Sequence, residues 1–202
     1  IEGDTEPMTG DPYKLSHLQN PDFEDGTAGW AIRPAAEGSI RAAEFSGYSW
    51  LEGRYPRTAQ GDTFLLTKRS AAGPNVFSQE IKHLEAGRLY SLKMITADYQ
   101  DLVGEVSREA KDAVSITLGN VEVLTGPKSS FQFTFPNCYA HHLGKFNREY
   151  RYYMNYHWRV FRAKGASARL TVSDWASEDE PGGPIGQELM YNFIEVQPYV
   201  GE

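Results

Sequence analysis

The chain has 202 residues, of which 40% are hydrophobic, and its 20 basic and 27 acidic side chains give a net charge of −7. This length is enough to bury one sizeable core, so we expect one principal domain. The acidic balance provides no basic footprint for nucleic acid or for an anionic membrane, which favours a neutral or weakly polar partner. Aromatic residues make up 13% of the chain, and amphipathic rings often contact ligands as well as cores.

The ends of the chain and its cysteine content set the organisation that we expect. Cys138 is the only cysteine, which excludes an intrachain disulfide. The first residue is Ile1 and no apolar stretch is long enough to cross a bilayer, so we expect a module excised from a larger protein. Residues 1–17 are rich in proline, glycine and acids without periodicity. We therefore assign 1–17 to a linker or N-terminal strap and 18–202 to the domain.

The domain opens on the stretch LQNPDFEDGTAGW, which runs from Leu18 to Trp30. Its proline and two glycines would interrupt a helix, and no helical period fits its apolar residues. Phe23 and Trp30 must then be presented by extended backbone on either side of a tight loop. This pattern predicts the start of an all-β domain.

Strand patterns with a period of two follow along most of the chain. Leu65 and Thr67 alternate with Leu66 and Lys68 in one short strand. A period of two recurs at three later places, namely Phe77, Gln79 and Ile81, then Tyr90, Leu92 and Met94, then Val114, Ile116 and Leu118. Residues 101–111 suit a helical turn, and Gly119–Asn120 suits a hairpin turn. Lys164–Gly165 separates two further strands, and LMYNFIEVQPYV supplies a closing strand.

Eight or more short strands with hardly any helix predict an all-β fold, an antiparallel β-sandwich of the jelly-roll kind. The predicted core consists of the apolar residues on the inward positions of these strands: Phe23, Trp30, Leu65, Ile81, Tyr90, Leu92, Ile116, Phe161, Leu170 and Ile194. The segment 127–158 is crowded with rings and is longer than a simple connection, which is typical of a functional segment or a lid.

Several stretches occur in the order and approximate spacing of a known group of domains: NPDFEDGTAGW, GDTFLLTKRS, VFSQEIKHLEAGRLYSLKM, VFRAKGASARLTV and YNFIEVQPY. On these motifs the chain resembles the carbohydrate-binding modules of families four, nine and twenty-two, which are galactose-binding-domain-like jelly rolls. The resemblance implies a non-catalytic module of a larger carbohydrate-active protein, such as a glycoside hydrolase, that binds a polysaccharide or oligosaccharide in a secreted or cell-surface setting. The segment 127–158 has no clear place in the pattern.

The resemblance also implies a structural calcium ion beside the opening turn. Glu24, Asp25 and Asn192 would supply some of the six to eight oxygen ligands that calcium takes. Asn192 stands where the pattern has an acid, which weakens the affinity that we expect. The alternative is an acidic surface turn without a metal.

Sugar recognition needs rings that stack on pyranose faces and planar polar side chains that hydrogen-bond hydroxyls. Tyr48, Trp50 and Arg54 occupy alternate positions of one segment, with Tyr55 on its other face, and Tyr156 and Trp158 share a face opposite Phe161. We expect the carbohydrate to bind at these residues, namely Tyr48, Trp50, Arg54, Tyr55, Tyr156 and Trp158. Ordinary core packing is the alternative for each ring.

Two other functions remain open at this point. The chain has no nucleophile elbow, metalloprotease motif or phosphate loop, so an accessory module is favoured over an enzyme. A jelly-roll polysaccharide lyase would use residues that alternate on one strand face, namely Tyr153, Asn155, His157 and Arg159. A structural module packing on a neighbouring domain of its own chain is the third reading.

Two further candidate sites are weaker. His141 and His142 lack a third ligand at zinc spacing. Asp98 either accepts sugar hydroxyls or caps a turn.

Overall fold

In the computed structural model, residues 17–46, 48, 62–137 and 152–201 are described. Eleven strands and a short helix occupy these ranges. They are β1 Ala31–Arg33, β2 Ile40–Glu44, β3 Thr63–Lys68, β4 Val76–Ile81, β5 Leu89–Asp98, α1 Tyr99–Val103, β6 Ser115–Gly119, β7 Val121–Val123, β8 Ser130–Asn137, β9 Tyr152–Ala163, β10 Ala168–Ser173 and β11 Glu188–Pro198.

The strands form two antiparallel sheets. The smaller sheet has the order β1-β4-β10-β6, and the larger has the order β2-β3-β11-β5-β9-β7, with β8 also paired to β9. Residues of β5 and β9 pair from Leu89 with Arg162 to Thr96 with Asn155. The prediction of an antiparallel β-sandwich is confirmed. No helix among the described residues is long and apolar enough to cross a membrane.

The main core lies between the two sheets. Nine of the ten predicted core residues are buried in it, and the tenth, Ile116, is partly buried against it. Phe77 is central, because its ring meets Phe23, Trp30 and Tyr191 edge-on at centroid distances of 5.0 to 6.2 Å. Edge-to-face pairs stabilise beyond the area they bury. The period-two patterns of β3, β4 and β5 therefore predicted the correct inward face.

A second apolar cluster lies on the outer face of the larger sheet. It contains Phe64 and Leu66 of β3, Ile95 of β5 and Met190 of β11. Successive strand residues point to opposite faces, so a strand such as β3 buries both of its faces, as its pattern of four consecutive buried residues shows.

The predicted hairpin at Gly119–Asn120 is wrong. β6 ends at Gly119 in the smaller sheet, whereas β7 begins at Val121 in the larger one. Asn120 has φ of 61°, and its side chain donates to the carbonyl of Ser167. Asparagine tolerates this left-handed conformation, which here turns the chain from one sheet to the other.

The opening turn is held by the side chain of Asn20. Its Nδ2 donates to the carbonyls of Gly26 and Ala28 at 3.0 Å each, and its Oδ1 accepts from the amide of Asp25 at 3.1 Å. Trp30 donates from Nε1 to the Asn20 carbonyl at 2.9 Å, and its ring stacks on Phe23. The turn thus positions both rings of the opening motif in the core.

His17, which the sequence analysis assigned to the leader, is buried and its Nδ1 lies 2.6 Å from the Lys82 carbonyl.

Candidate functional site

Four rings lie side by side on the outer face of the larger sheet. Phe131 and Phe133 come from β8, and Tyr156 and Trp158 come from the neighbouring β9. The centroids of neighbouring rings are 5.2 to 6.3 Å apart, and the angles between their planes are 15° to 32°. We call these four residues the aromatic surface. Phe133 is 44% exposed, and the other three rings are partly exposed.

Strand alternation explains why these rings face outward. Phe161 of β9 is fully buried between the sheets. Tyr156 and Trp158 differ from it by odd numbers of residues, so they point to the other side of the sheet. Phe131 pairs with Trp158 and Phe133 pairs with Tyr156 across the ladder. Cross-strand neighbours lie close enough for their rings to touch, and the rings therefore form one continuous surface.

Polar side chains adjoin the aromatic surface on the next two strands. Lys93 of β5 pairs with Trp158 and also with Glu195 of β11, and its Nζ lies 3.5 Å from Glu195 Oε2. Tyr199 meets Trp158 edge-on at 6.2 Å. Burial raises the pKa of Tyr156, and the negative charge of Glu195 acts in the same direction. Hydrogen-bond donors and acceptors thus stand beside the rings.

The predicted site residues are distributed differently from the expectation. Tyr156 and Trp158 belong to the aromatic surface. Tyr48 is wrongly placed in the sequence-based site, because it is fully buried and its ring packs on Phe64 at 5.5 Å. A ring without exposed area cannot stack on a ligand. Trp50, Arg54 and Tyr55 lie outside the described residues, as do His141 and His142.

Sequence reasoning did not single out Phe131 and Phe133. Both lie in the segment 127–158, which was read as one aromatic insert. The structure divides it into β8 and the start of β9, with 138–151 outside the described residues. The signal was present in the letters FQFTF, whose rings recur at every second residue, the spacing of one strand face.

The opposite face of β9 carries a buried polar network. The Thr96 hydroxyl donates to Asp112 Oδ2 at 2.7 Å and lies 2.8 Å from His157 Nε2. Burial raises the pKa of Asp112 to about 7. Burial also lowers the pKa of His157 to about 3, and the charge of Arg159 acts in the same direction. His157 Nδ1 is buried and has no hydrogen-bond partner among the described residues.

Asn155 and Arg159 lie on this same face. Asn155 Oδ1 accepts from the Asp112 amide and from Gln132 Nε2, and Asn155 Nδ2 donates to the Ala110 carbonyl. Arg159 donates from Nη1 to the carbonyls of Phe131 and Trp158. The row Tyr153, Asn155, His157 and Arg159 does share a face, and hydrogen bonds within the protein engage its last three members.

The residues named for calcium lie in different surroundings. Glu24 and Asp25 are exposed in the opening turn. Asn192 is fully buried, and its amide donates to the Thr63 carbonyl at 2.5 Å and accepts from the amide of Phe193 at 2.5 Å. Among the described residues no group of three acidic, histidine or cysteine side chains is arranged to hold a metal ion. Two carbonyl oxygens of the turn, those of Gly26 and Ala28, already accept hydrogen bonds from Asn20 Nδ2.

Calcium near Glu24 and Asn192 stays a prediction, and thermal melting tests it. A ligand that binds only the native state must raise stability. The calcium prediction therefore requires a higher Tm in millimolar calcium than in chelator. An unchanged Tm would leave the Asn20 side chain as the group that holds the turn.

No family model matches the chain, and no curated protein matches it. Several solved structures do match the chain. TmCBM61 in complex with beta-1,4-galactotriose is 16% identical, with a TM-score of 0.44 over 91% of this chain and 98% of that one. A putative sugar binding protein from Bacteroides thetaiotaomicron VPI-5482 is 9% identical, with a TM-score of 0.45 over 91% of this chain and 99% of that one.

A viral protein has a similar fold. The enzymatically active domain of tailspike protein 4 from bacteriophage CBA120 is 9% identical, with a TM-score of 0.50 over 91% of this chain and 21% of that one. At such low identity the likeness concerns the fold alone. The two antiparallel sheets of the chain itself define it as a β-sandwich domain, and the function has to be argued from the aromatic surface.

Proposed function

We propose that the protein is a non-catalytic module that binds a polysaccharide or oligosaccharide on the aromatic surface. The observation that carries the proposal is the set of four neighbouring, partly exposed rings on one sheet face, Phe131, Phe133, Tyr156 and Trp158. Rings in this arrangement suit the flat apolar faces of pyranoses. The motifs that resemble families four, nine and twenty-two support the same function.

The row of side chains across the sheet supports a chain-like ligand. Glu195, Lys93, Trp158 and Phe131 are successive partners on β11, β5, β9 and β8. With neighbouring strands about 4.8 Å apart, the row is roughly 14 Å long, a length that suits an oligosaccharide better than a single ring. The apolar half would stack on sugar faces, and the ion-paired half would exchange hydrogen bonds with hydroxyls.

Binding is better supported than cleavage. A lyase would need a free acid and base within reach of a substrate. Asn155 and His157 are instead buried, and both are hydrogen-bonded within the protein. We propose further that the module belongs to a larger carbohydrate-active protein that works outside the cell. Packing against a neighbouring domain is the second use for the same apolar face.

Replacing Phe133 with Ala is expected to weaken polysaccharide binding by roughly 1 to 3 kcal/mol, the magnitude of ring stacking on a flat ligand. Because Phe133 is 44% exposed, the Tm should hardly change. The measurement is affinity electrophoresis against plant and algal polysaccharides, followed by calorimetric titration of whichever one retards the protein.

Val103→Ala is the matched control, since Val103 is 56% exposed and lies on α1. It should bind like the wild type. No retention on any glycan would support the packing role instead. Shortened or unsaturated products would favour the lyase, and β9 from Tyr153 to Arg159 would be the first place to mutate.

A further inference from the structure

A cavity of about 330 Å³ opens on the other side of the larger sheet from the aromatic surface. Its walls come from the ends of β5 and α1, the segment 108–113, the start of β9 and the glycine-rich segment 182–187. Tyr153 and Asn155 contribute from β9, on the face opposite Tyr156 and Trp158. The cavity therefore cannot be an extension of the aromatic surface.

One buried carboxyl group of the wall has spare hydrogen-bonding capacity. Asp112 is only 7% exposed, and it lines the cavity. Its Oδ2 accepts from Thr96, while no hydrogen bond from a described residue reaches its Oδ1. Because Oδ1 is not a fully buried atom, it is open to a ligand in the cavity. A ligand hydroxyl could donate to this free acceptor.

Groups of both charges surround Asp112. Arg108 pairs with Asp101 through two hydrogen bonds, and Lys111 is exposed at the rim. Asp98 accepts from the Asp101 amide and from Gln187 Nε2. The half-buried ring of Tyr153 supplies an apolar wall. Donors and acceptors are thus mixed, which suits a neutral molecule with several hydroxyl groups better than an ion.

Buried hydrogen bonds hold the cavity walls in place. Arg69 is 1% exposed and donates to the carbonyls of Ala113, Asp174 and Pro184 and to Gln187 Oε1. A Cβ on Gly183 would lie 2.6 Å from Arg69 Nη1. The glycine is needed for this close approach, and the wall is formed before any ligand arrives. Preorganisation of this kind lowers the cost of binding.

We propose that this edge cavity is a second carbohydrate site, which takes a single pyranose unit such as the end of a glycan chain. The volume lies at the lower end of the range for small-molecule pockets, so it fits one sugar ring rather than a long stretch of chain. Sugar hydroxyls would donate to Asp112 and accept from Lys111, and a C–H face would pack on Tyr153. The site does not depend on the aromatic surface, although it shares its ligand class.

The test uses the full chain and the methyl glycosides of galactose, glucose and xylose as probes, with saturation-transfer NMR and calorimetric titration. At least one glycoside should bind, and Tyr153→Ala or Lys111→Ala should weaken it about tenfold or more. Tyr153→Phe keeps the ring and should bind normally, provided that all variants show the wild-type Tm. Phe133→Ala should leave glycoside binding unchanged while it weakens polysaccharide binding.

Two results would overturn the edge cavity as a sugar site. One is that no glycoside binds the wild-type protein. The other is that glycoside binding is lost in Phe133→Ala and retained in both Tyr153→Ala and Lys111→Ala, which would place the sugar on the aromatic surface. Because polysaccharide retention is measured on the same variants, failure of this site and failure of the proposed function are told apart.

Discussion

Replacing Arg69 with Ala is expected to destabilise the protein by about 3 to 5 kcal/mol. The guanidinium group is buried and donates to four acceptors on three segments of the chain, at Ala113, at Asp174, and at Pro184 and Gln187. Without it the Asp174 carbonyl would lose a fully buried hydrogen bond and the other three acceptors would lose partly buried ones. A buried polar group left unsatisfied costs its full desolvation penalty. Urea denaturation followed by tryptophan fluorescence measures the loss.

Two other arginine variants serve as comparisons for Arg69→Ala. Arg69→Lys keeps the charge but loses the planar fork that reaches several carbonyls at once, so it should also be clearly destabilised. Arg41→Ala removes an exposed arginine from β2 and should change stability by less than about 0.5 kcal/mol. If Arg69→Ala and Arg41→Ala behaved alike, the buried hydrogen bonds of Arg69 would not matter for stability.

The role of Arg69 shows what the sequence could not reveal. In the letters TKRS the arginine reads as an ordinary polar end of a strand. Its burial depends on Gly183 and Pro184, more than a hundred positions later in the chain, which wrap around it. No local pattern carries that information, because it arises only when the two sheets and their loops come together.

The strand faces were predictable for the opposite reason. Alternation within β9 is a local property, and it correctly separated Phe161 from Tyr156 and Trp158. Tyr48 was misassigned because alternation was assumed for a segment without testing whether its apolar residues faced a second cluster. The aromatic surface itself needs the pairing of β8 with β9, which is long-range information that periodicity does not contain.

Asp112 and His157 are both buried, and their contributions to the free energy of unfolding are expected to change with pH in opposite directions. The pKa of Asp112 is raised by burial from 3.8 to about 7, with Asp98 and Asp101 adding to the rise and Thr96 and Arg69 opposing it. The native state therefore holds a proton that the unfolded state has lost. The stability contributed by Asp112 is full below pH 4 and falls as the pH rises to about 7.

His157 has the opposite sign. Burial and the charge of Arg159 lower its pKa from 6.5 to about 3, so the unfolded state holds a proton that the native state lacks. Its contribution is full above about pH 6.5 and falls as the pH drops toward 3. Between about pH 4 and pH 6.5 the two slopes cancel, and the pair adds little net pH dependence.

Single substitutions should reveal each slope. Relative to the wild type, Asp112→Asn should gain about 3 kcal/mol of stability between about pH 4 and pH 7, because the falling contribution of Asp112 is gone. His157→Gln should lose about 3 kcal/mol over the same interval, because the rising contribution of His157 is gone. Urea denaturation at a series of pH values measures both differences.

Each variant is the control for the other, since both remove a titrating group from one site and the expected signs are opposite. Curves that run parallel to the wild type in both variants would mean that neither pKa is displaced by burial, and the network around Thr96 would then contribute no pH dependence.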